Sequence, residues 1–277
     1  MSAEVLPLHP EGGAARPVKG LYLDHRLHEA GSVQSPFVYG SFVSSLDGRI
    51  AVVEPGGAEK DVLAGLTSPA DFRLFQELQA QADCLITHGG YLRALEEGRL
   101  GNVLQINAAA QVADLVEWRK RNRLAPQPAI VIASASLDFP LHPSILEHRQ
   151  PLYIATGRSA DPARVQAMRE RGHHLIFAGE GAMVEGAPLV RALGELGYRS
   201  LYLLAGPKML ETMLRDRELS RLYLTIRHRV LGGEHFSTLI RGPRLGEAGE
   251  FALRSLYHDS ADGQWFAQFE CLQHAHR

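Results

Sequence analysis

The chain has 277 residues, 45% hydrophobic and 22% charged, and its net charge of −2 at pH 7 excludes a global basic field for nucleic acid or membrane. Its two cysteines, Cys84 and Cys271, are too few for a disulfide framework or for a zinc site without other ligands. Neither a signal-peptide pattern nor a bilayer-spanning apolar run is recognised, so a cytoplasmic globular protein is predicted.

The first 35 residues are rich in Gly, Pro and Ala and carry scattered charges. We predict an N-terminal arm over residues 1–35, with a short helix near Leu21–His28. The arm either packs on the body of the protein or mediates assembly, and the sequence does not separate these two roles. Residues 36–277 are predicted to form one α/β domain.

Phe37–Val43 is predicted as the first strand, because it mixes small, aromatic and β-branched residues. It leads into Ser44, Ser45 and the turn pair Asp47-Gly48. Two interpretations of Asp47 stay open. It closes the turn, which the local sequence slightly favours, or it joins the serine pair in a site at the end of a central strand.

The next stretch combines a loop and a helix. Val53–Gly65 contains Pro55, Gly56 and Gly57 and is predicted as a mobile loop of the kind that covers binding sites. Ser68 is a natural N-cap and Pro69 a natural first residue of a helix. The apolar stripe of that helix is formed by Phe72, Phe75, Leu78 and Ala82.

Cys84–Ile86 is predicted as a short buried strand that ends in small polar residues. Thr87 is a candidate for holding a ligand hydroxyl or phosphate. His88 is either catalytic or, as is more usual for a lone histidine at a turn, a bystander. The amphipathic helix Asn107–Arg123 ends in basic residues, which suit the helix dipole and predict capping and a solvated face.

Strands and helices then alternate. His173 and His174 point to opposite faces of a strand, which argues against a shared metal, and no metal site is predicted. Asp262-Gly263 between two strand-like runs is the best hairpin signal in the chain. Further strands are predicted at 129–133, 152–155, 174–178, 201–204, 222–230, 251–258 and 265–271, with helices at 91–97, 161–171 and 188–196.

This order predicts a three-layer α/β fold with a mostly parallel central sheet and an antiparallel C-terminal hairpin. Small or polar residues recur where strands end, which indicates a nucleotide site more strongly than any one of them does. These residues are Ser44, Thr87, Ser134, Thr156 and Gly206.

The stretch Leu201–Leu214 combines a buried strand, a turn and a helix. Pro207 suits the first helical position and Gly206 permits close approach of a ligand to the backbone. The free amides at the start of such a helix form a seat for phosphate. By itself the pattern fits an ordinary strand-turn-helix corner equally well.

Three motifs occur in a recognisable order: Ser45–Arg49, the helix start Thr67–Pro69 before the strand Leu85–Thr87, and the turn Ala205–Pro207 before Leu231–Gly233. Together they resemble the C-terminal reductase domain of the bacterial riboflavin-pathway deaminase-reductase. The resemblance implies a dihydrofolate-reductase-like fold over roughly residues 36–270. The His-x-Glu and Pro-Cys-x-x-Cys motifs of the deaminase half are missing, which predicts a stand-alone reductase-like chain.

The resemblance implies a homodimer that transfers hydride from NADPH to a pyrimidine- or pterin-like substrate, with no nucleic-acid or membrane partner. For the family this substrate is a ribosylamino-pyrimidine phosphate, whose ribose opens to a ribityl chain. Ser45 and Leu204 fall on the substrate side and Asp47 is the candidate catalytic residue. The matching cofactor-binding positions are Val43, Thr87, Ser134, Thr156, Gly206, Pro207, Lys208 and Met209.

Lys208 would add a positive charge beside the cofactor phosphates, which suits NADPH over NADH. The cofactor half of the pattern is better kept than the substrate half, and the loss of buried hydrogen-bonding groups changes specificity strongly. The departures are Leu204 for an acidic residue, Gly65 near the place of a tryptophan, Gln79 for an arginine, and Leu95–Gly98 in place of an Asp-Pro pair.

Two alternatives follow. One is a catalytically lapsed member of the fold that binds a nucleotide or a partner without turnover, which the substrate-side departures suggest. The other is nucleic-acid binding through Arg119–Arg123 and Arg227–Arg229, against which the near-neutral net charge argues.

Overall fold

The computed structural model describes residues 3–10, 12–52, 63–106 and 112–272. Most of the predicted loop Val53–Gly65 and the first residues of the predicted helix Asn107–Arg123 lie outside these ranges. None of the helices in the described ranges is long and apolar enough to cross a membrane.

Strands follow the predicted order and add four that the sequence pattern did not indicate. Two of the added strands are near the N-terminus and two form a small separate pair. The strands are β1 Glu4–His9, β2 Arg16–Pro17, β3 Phe37–Ser45, β4 Ala51–Val52, β5 Cys84–His88, β6 Ala129–Ala133, β7 Leu152–Thr156, β8 His174–Phe177, β9 Ser200–Leu203, β10 Arg221–Arg227, β11 Phe236–Ser237, β12 Phe251–Asp259 and β13 Gln264–Cys271.

Helices begin where the capping signals place them. Ser68 Oγ accepts the N–H of Asp71, and the Asp161 carboxylate accepts that of Ala163, so both are true N-caps. The predicted helix near Leu21–His28 is instead two short 3₁₀ turns. The helices are α1 Leu63–Leu66, α2 Pro69–Ala80, α3 Gly89–Glu96, α4 Ala113–Arg121, α5 Pro143–Leu146, α6 Pro162–Glu170, α7 Gly186–Glu195 and α8 Pro207–Arg215.

The chain divides into two compact units. The first unit comprises residues 1–25, 39–77 and 206–277. Its strands are ordered β2-β1-β12-β13-β10-β3, all antiparallel to their neighbours except the parallel pair β10–β3. The hairpin predicted around Asp262-Gly263 is confirmed, because β12 and β13 pair from Asp259↔Gln264 outward.

The second unit comprises residues 26–38 and 78–205. Its strands are ordered β9-β5-β6-β7-β8 and every pair is parallel. The strands β5, β6 and β9 are buried almost throughout, as the continuous apolar runs of the sequence indicate for parallel strands. The predicted fold class, α/β with mostly parallel strands and an antiparallel C-terminal hairpin, is therefore confirmed.

The predicted N-terminal arm is divided between the two units: its residues up to 25 belong to the first unit and residues 26–35 to the second. Strand β1 pairs with β12, with Leu6 opposite His258. The N–H groups of Gly20 and Tyr22 donate to the buried carboxylate of Glu77 at 2.6 and 2.9 Å. The domain boundary predicted at residue 36 stays a prediction, since the two units interleave along the chain.

The predicted solvated basic face at the end of α4 holds for the exposed Lys120 and Arg121 but not for Arg119. Its side chain is 1% exposed, and its guanidinium donates to the carbonyls of Ala80, Ala82 and Ala125 at 2.8–2.9 Å. The sequence pattern of α4 does not predict that Arg119 is buried, because the carbonyls that accept its hydrogen bonds belong to other segments. A buried guanidinium is also not available to bind a nucleic-acid phosphate.

Candidate active site

Three predicted cofactor residues end neighbouring strands of the second unit. Thr87 lies near the end of β5, Ser134 directly follows β6, and Thr156 ends β7. The strands are parallel and in register, with His88 opposite Ala133 and the N–H of Ser134 donating to the carbonyl of Ala155. The structure therefore gathers Thr87, Ser134 and Thr156 at one edge, where open α/β sheets bind their ligands.

Of these three hydroxyls, only that of Ser134 has a hydrogen-bond partner among the described residues. Ser134 Oγ accepts the N–H of Leu137 at 3.0 Å, which closes the turn after β6. The hydroxyl oxygens of Thr87 and Thr156 are buried and have no hydrogen-bond partner among the described residues. Buried polar groups in folded proteins are nearly always paired, so two orphans at the ends of β5 and β7, on either side of β6, suggest a polar ligand at this edge.

Glycines keep the backbone close-packed beside these threonines. A Cβ on Gly157, directly after Thr156, would lie 1.9 Å from the carbonyl oxygen of Gly181. A Cβ on Gly89 would lie 3.2 Å from Ser134 Oγ. Both glycines are buried, and the protein's own atoms leave little or no room for a side chain at either position.

Leu204 and His88 lie at the same edge of the second unit. The N–H of Leu204 donates to the carbonyl of Ile86 at 2.8 Å, which places Leu204 beside the end of β5. His88 occupies the N-cap position of α3, and burial, with the positive charge of Arg93, lowers the pKa of its imidazole. His88 is therefore neutral at neutral pH and does not supply a positive charge to a ligand.

The start of α8 lies in the first unit. Gly206 is its N-cap, with φ −72° and ψ −175°, and no side chain caps the first amides of the helix. This φ is open to any residue, so the glycine here provides space rather than a special backbone conformation. Lys208 is more than half exposed, and its Nζ lies 3.5 Å from the buried carboxylate of Glu211.

Asp47 connects two loops of the first unit. Its carboxylate accepts hydrogen bonds from Ser45 Oγ and the Arg49 guanidinium, and from the N–H groups of Leu231 and Gly232 at 3.2 and 2.9 Å. The loop after β3 is thereby tied to the loop after β10. The hydrogen bond from Ser45, followed by those from the backbone, holds the pKa of Asp47 well below its usual range, so this residue is a carboxylate at every working pH.

Val43 and Ser45, two further predicted site residues of the first unit, lie on strand β3. Val43 lies in β3 opposite Thr225 of the parallel strand β10. Ser45 is buried, and besides donating to Asp47 it accepts the N–H of Arg49 at 3.0 Å. The structure thus brings Val43, Ser45 and Asp47 together at the carboxyl end of the β3–β10 pair.

Asp71 is a titratable residue of the first unit that the sequence pattern did not single out. It lies in the first turn of α2 and is 8% exposed, and burial raises the pKa of its carboxyl to about 6, against the hydrogen bond from Thr225 and the charge of Arg227. An acidic residue in a first helical turn is usual for dipole reasons, so its sequence position gave no signal. Only the packing of α2 on β10 reveals it.

The second unit thus has the features of an α/β protein with a ligand edge: parallel strands, polar residues at their carboxyl ends, and unused hydrogen-bonding groups there. The hydroxyls of Thr87 and Thr156 are the unused hydrogen-bonding groups at this edge. Comparison with known proteins identifies the family. The model of the RibD C-terminal domain matches residues 36–263, and the chain belongs to that family.

Individual relatives are distant. The 2,5-diamino-6-ribosylamino-4(3H)-pyrimidinone 5′-phosphate reductase of Archaeoglobus fulgidus is 22% identical over 207 residues, covering 75% of this chain and 87% of that protein. The reductase of the same name from Aquifex aeolicus is 23% identical over 211 residues, covering 76% and 84%. A pyrimidine reductase-like protein of Corynebacterium diphtheriae superposes with a TM-score of 0.63 at 16% identity, covering 86% and 92%, which supports the same fold.

Proposed function

We propose that this chain is an NADPH-dependent reductase of a pyrimidine- or pterin-like substrate, with a ribosylamino-pyrimidine phosphate as the first candidate. Family membership over residues 36–263 and two relatives named as pyrimidinone phosphate reductases support this. Both cysteines are free, which suits a cytoplasmic location.

The observation that carries the proposal is the pair of buried hydroxyls, of Thr87 and Thr156, left without partners among the described residues at the ends of β5 and β7. An enclosed hydroxyl without a partner costs free energy, on the order of 1–3 kcal/mol. A bound cofactor offers phosphate and ribose oxygens that would satisfy such groups.

The proposed cofactor contacts form two groups, one at the strand ends and one at the start of α8. Val43, Thr87, Ser134 and Thr156 would line the strand ends, and Gly206, Pro207, Lys208 and Met209 would receive the phosphates at the start of α8. When bound, the reduced nicotinamide supplies the hydride, and the protein orients it and excludes water. Lys208 would favour the additional phosphate of NADPH, although Glu211 already offsets part of its charge.

On the substrate side we propose Ser45, Leu204 and Asp47. Asp47 is ionised and saturated with donors, which suits a role in holding the site and providing negative potential. Leu204 offers no polar atom where many family members have an acid, which supports an altered set of contacts to the heterocycle. The second candidate is a member that binds a nucleotide or a partner without turnover, and the departures on the substrate side, such as Leu204 and Gln79, motivate it.

The experiment that tests the proposal is titration of the purified protein with NADPH and, separately, NADH, followed by nicotinamide fluorescence. Saturable binding that prefers NADPH is the expected result. Oxidation of the bound NADPH is then measured with ribosylamino-pyrimidine phosphate and with dihydropterin. Absence of binding to either nucleotide would remove the reductase proposal, and tight binding without oxidation of any substrate would favour the lapsed member.

We also propose that the chain is a homodimer through one face of the antiparallel strands of the first unit. Alternate residues of β10, β12 and β13 pack into the core, among them Tyr223, Tyr257 and Phe266. Adjacent strands bring the residues of the opposite face into register. Leu222 and Ala267 on that face are buried, whereas six other apolar residues are only half-buried. These residues are Leu224, Ile226, Leu253, Leu256, Trp265 and Phe269.

An apolar face of this kind on a soluble protein usually marks an interaction surface. A second copy of the chain would bury it with the same residues on both sides, as two-fold symmetry requires.

A further inference from the structure

Asp71 is enclosed by side chains whose own partners are known. Its N–H donates to Ser68 Oγ at 3.0 Å, and its carboxylate accepts a hydrogen bond from the Thr225 hydroxyl. Gln264 Nε2 donates to Ser68 Oγ at 2.7 Å and to Asp259 Oδ2 at 2.8 Å. Among the described residues, Thr225 is the side chain that donates to the Asp71 carboxylate.

The charged groups facing Asp71 leave it without a direct counter-ion. Arg227 on β10 acts on it through its charge, but no described residue forms an ion pair with the Asp71 carboxylate. Asp259 on β12 is paired with Gln264 and with the N–H of Ala261. On β3, the Ser45 hydroxyl donates a hydrogen bond to Asp47. Desolvation is consequently the largest influence on Asp71, and the pKa of its carboxyl is raised to about 6.

The position of Asp71 in the sheet connects it to the proposed site. Its partner Thr225 lies opposite Val43 in the parallel pair β3–β10, and Arg227 lies opposite Ser45. Both strands end within two residues of these pairs and lead to the loops joined by Asp47. Asp71 therefore lies near the carboxyl ends of two parallel strands, the end at which α/β sheets place their ligands.

We propose that Asp71 is the proton donor of the reduction and that Thr225 orients its carboxyl group, an inference that rests on the proposed reductase function. A ribosylamino group reaches the ribityl level when its open-chain imine is reduced at C1′. A bound reduced nicotinamide would supply the hydride for the new C1′–H bond, and the C=N π electrons would pass to nitrogen. The Asp71 carboxyl proton forms the new N–H bond, and water later returns a proton to Asp71.

Asp47 and Asp71 divide the acid chemistry between them for a physical reason. Asp47 accepts hydrogen bonds from at least four donors and stays ionised, so it has no proton to give. Asp71 is buried beside one hydroxyl donor and holds its proton at higher pH. Two carboxyl groups whose environments separate their pKa values in this way are typical of an acid and a charge-stabilising partner.

The rate of the reductive step should consequently fall as pH rises through about 6, because the acid form of Asp71 is lost there. Asp71→Asn should bind NADPH with the wild-type dissociation constant. It should lower the single-turnover rate about 100-fold and abolish this pH dependence, since general acid catalysis contributes on that order. Asp71→Glu should restore part of the rate, and Thr225→Val should shift the pH at which the rate falls.

Glu77→Gln is the matched control. Glu77 lies on the same helix and is also a buried carboxyl with a raised pKa, but it accepts hydrogen bonds from the N-terminal segment. Its variant should retain the pH dependence of the wild type. A second readout needs no substrate: the infrared band of a carboxyl that titrates near pH 6 should be present in the wild-type protein and in Glu77→Gln, and absent in Asp71→Asn.

The outcomes separate this inference from the proposed function. Wild-type turnover together with a slow, pH-independent Asp71→Asn supports the inference. Wild-type turnover with an equally active Asp71→Asn overturns it and leaves the reductase intact. A wild-type protein that binds NADPH but reduces no substrate removes both, and a carboxyl band that titrates at the ordinary aspartate pH overturns the role of Asp71 by itself.

Discussion

The buried hydroxyl of Thr156 should lower the stability of the free protein and raise its affinity for the cofactor. Its oxygen has no partner among the described residues. Thr156→Val keeps the shape and removes the orphan, so the free protein should stay within about 1 kcal/mol of the wild type or become more stable. NADPH affinity should fall about tenfold, because a hydrogen bond to the cofactor is lost. Urea unfolding and nicotinamide fluorescence measure the two effects.

Ser200→Ala is the contrasting variant. Ser200 is equally buried, but its hydroxyl donates to the carbonyl of Gln81 at 2.9 Å. Its removal should destabilise the protein by about 1–2 kcal/mol and leave NADPH affinity unchanged. A Thr156→Val variant that is clearly less stable than wild type would mean that its hydroxyl is satisfied within the protein.

Asp71 makes folding stability depend on pH independently of catalysis. Its pKa is higher in the folded protein, about 6, than the ordinary 3.8, so the folded state binds the proton more tightly. The stability it contributes is complete below pH 3.8 and is lost as pH rises through about 6. Between about pH 4 and pH 8 the wild type should therefore lose up to about 3 kcal/mol relative to Asp71→Asn. Denaturant titrations of both proteins at several pH values measure this difference, and a constant difference would contradict the raised pKa.

At the scale of elements, Asp47 determines how the loops after β3 and β10 are held together. Asp47→Ala leaves the N–H groups of Leu231 and Gly232 without their acceptor. Hydrogen exchange at these amides should accelerate, and turnover should fall at least tenfold because the loops border the proposed site. Since the pKa of Asp47 is lowered, its contribution is present above the ordinary aspartate pKa and is lost only in strong acid.

Asp24→Ala provides the comparison for Asp47. Asp24 also accepts from an arginine, Arg16, at 2.7 Å, but both side chains are exposed. Exposed ion pairs contribute little, so exchange and turnover should remain as in the wild type. If Asp47→Ala behaved in the same way, its carboxylate would be only a turn-closing group.

The strands β10, β12 and β13 show why element type is easier to predict than element surroundings. Their sequences carry apolar residues on both faces, so strand and hairpin follow from composition and from the Asp262-Gly263 turn. Which face enters the core depends on register. Phe266 is buried while its neighbour Trp265 stays half-exposed, because Phe266 pairs with Thr225 and Tyr257 on the inner face.

At the scale of the whole molecule, the half-exposed face defined by these strands predicts the oligomeric state. The wild-type protein should sediment at twice the chain mass. Leu256→Glu places a charge in the centre of that face and should give a folded monomer, since burying an unpaired charge costs several kcal/mol. Leu146→Glu, at an exposed leucine of the second unit, should remain dimeric. A dimeric Leu256→Glu variant would assign the interface to another surface.

The sequence by itself determined the order of the central strands from β3 to β13, the α/β class, the hairpin, the capped starts of α2 and α6 and the family, because these depend on local periodicity, turn residues and motif order. It also placed Thr87, Ser134 and Thr156 at strand ends. It missed the short strands β1, β2, β4 and β11. The tertiary structure alone decided which groups are satisfied. Thr87 and Thr156 are left unpaired, Asp47 is saturated and Arg119 is buried. Hydrogen-bond partners and desolvation come from segments distant in sequence, such as Thr225 for Asp71 or Ala80 for Arg119, and no local pattern of residues encodes them.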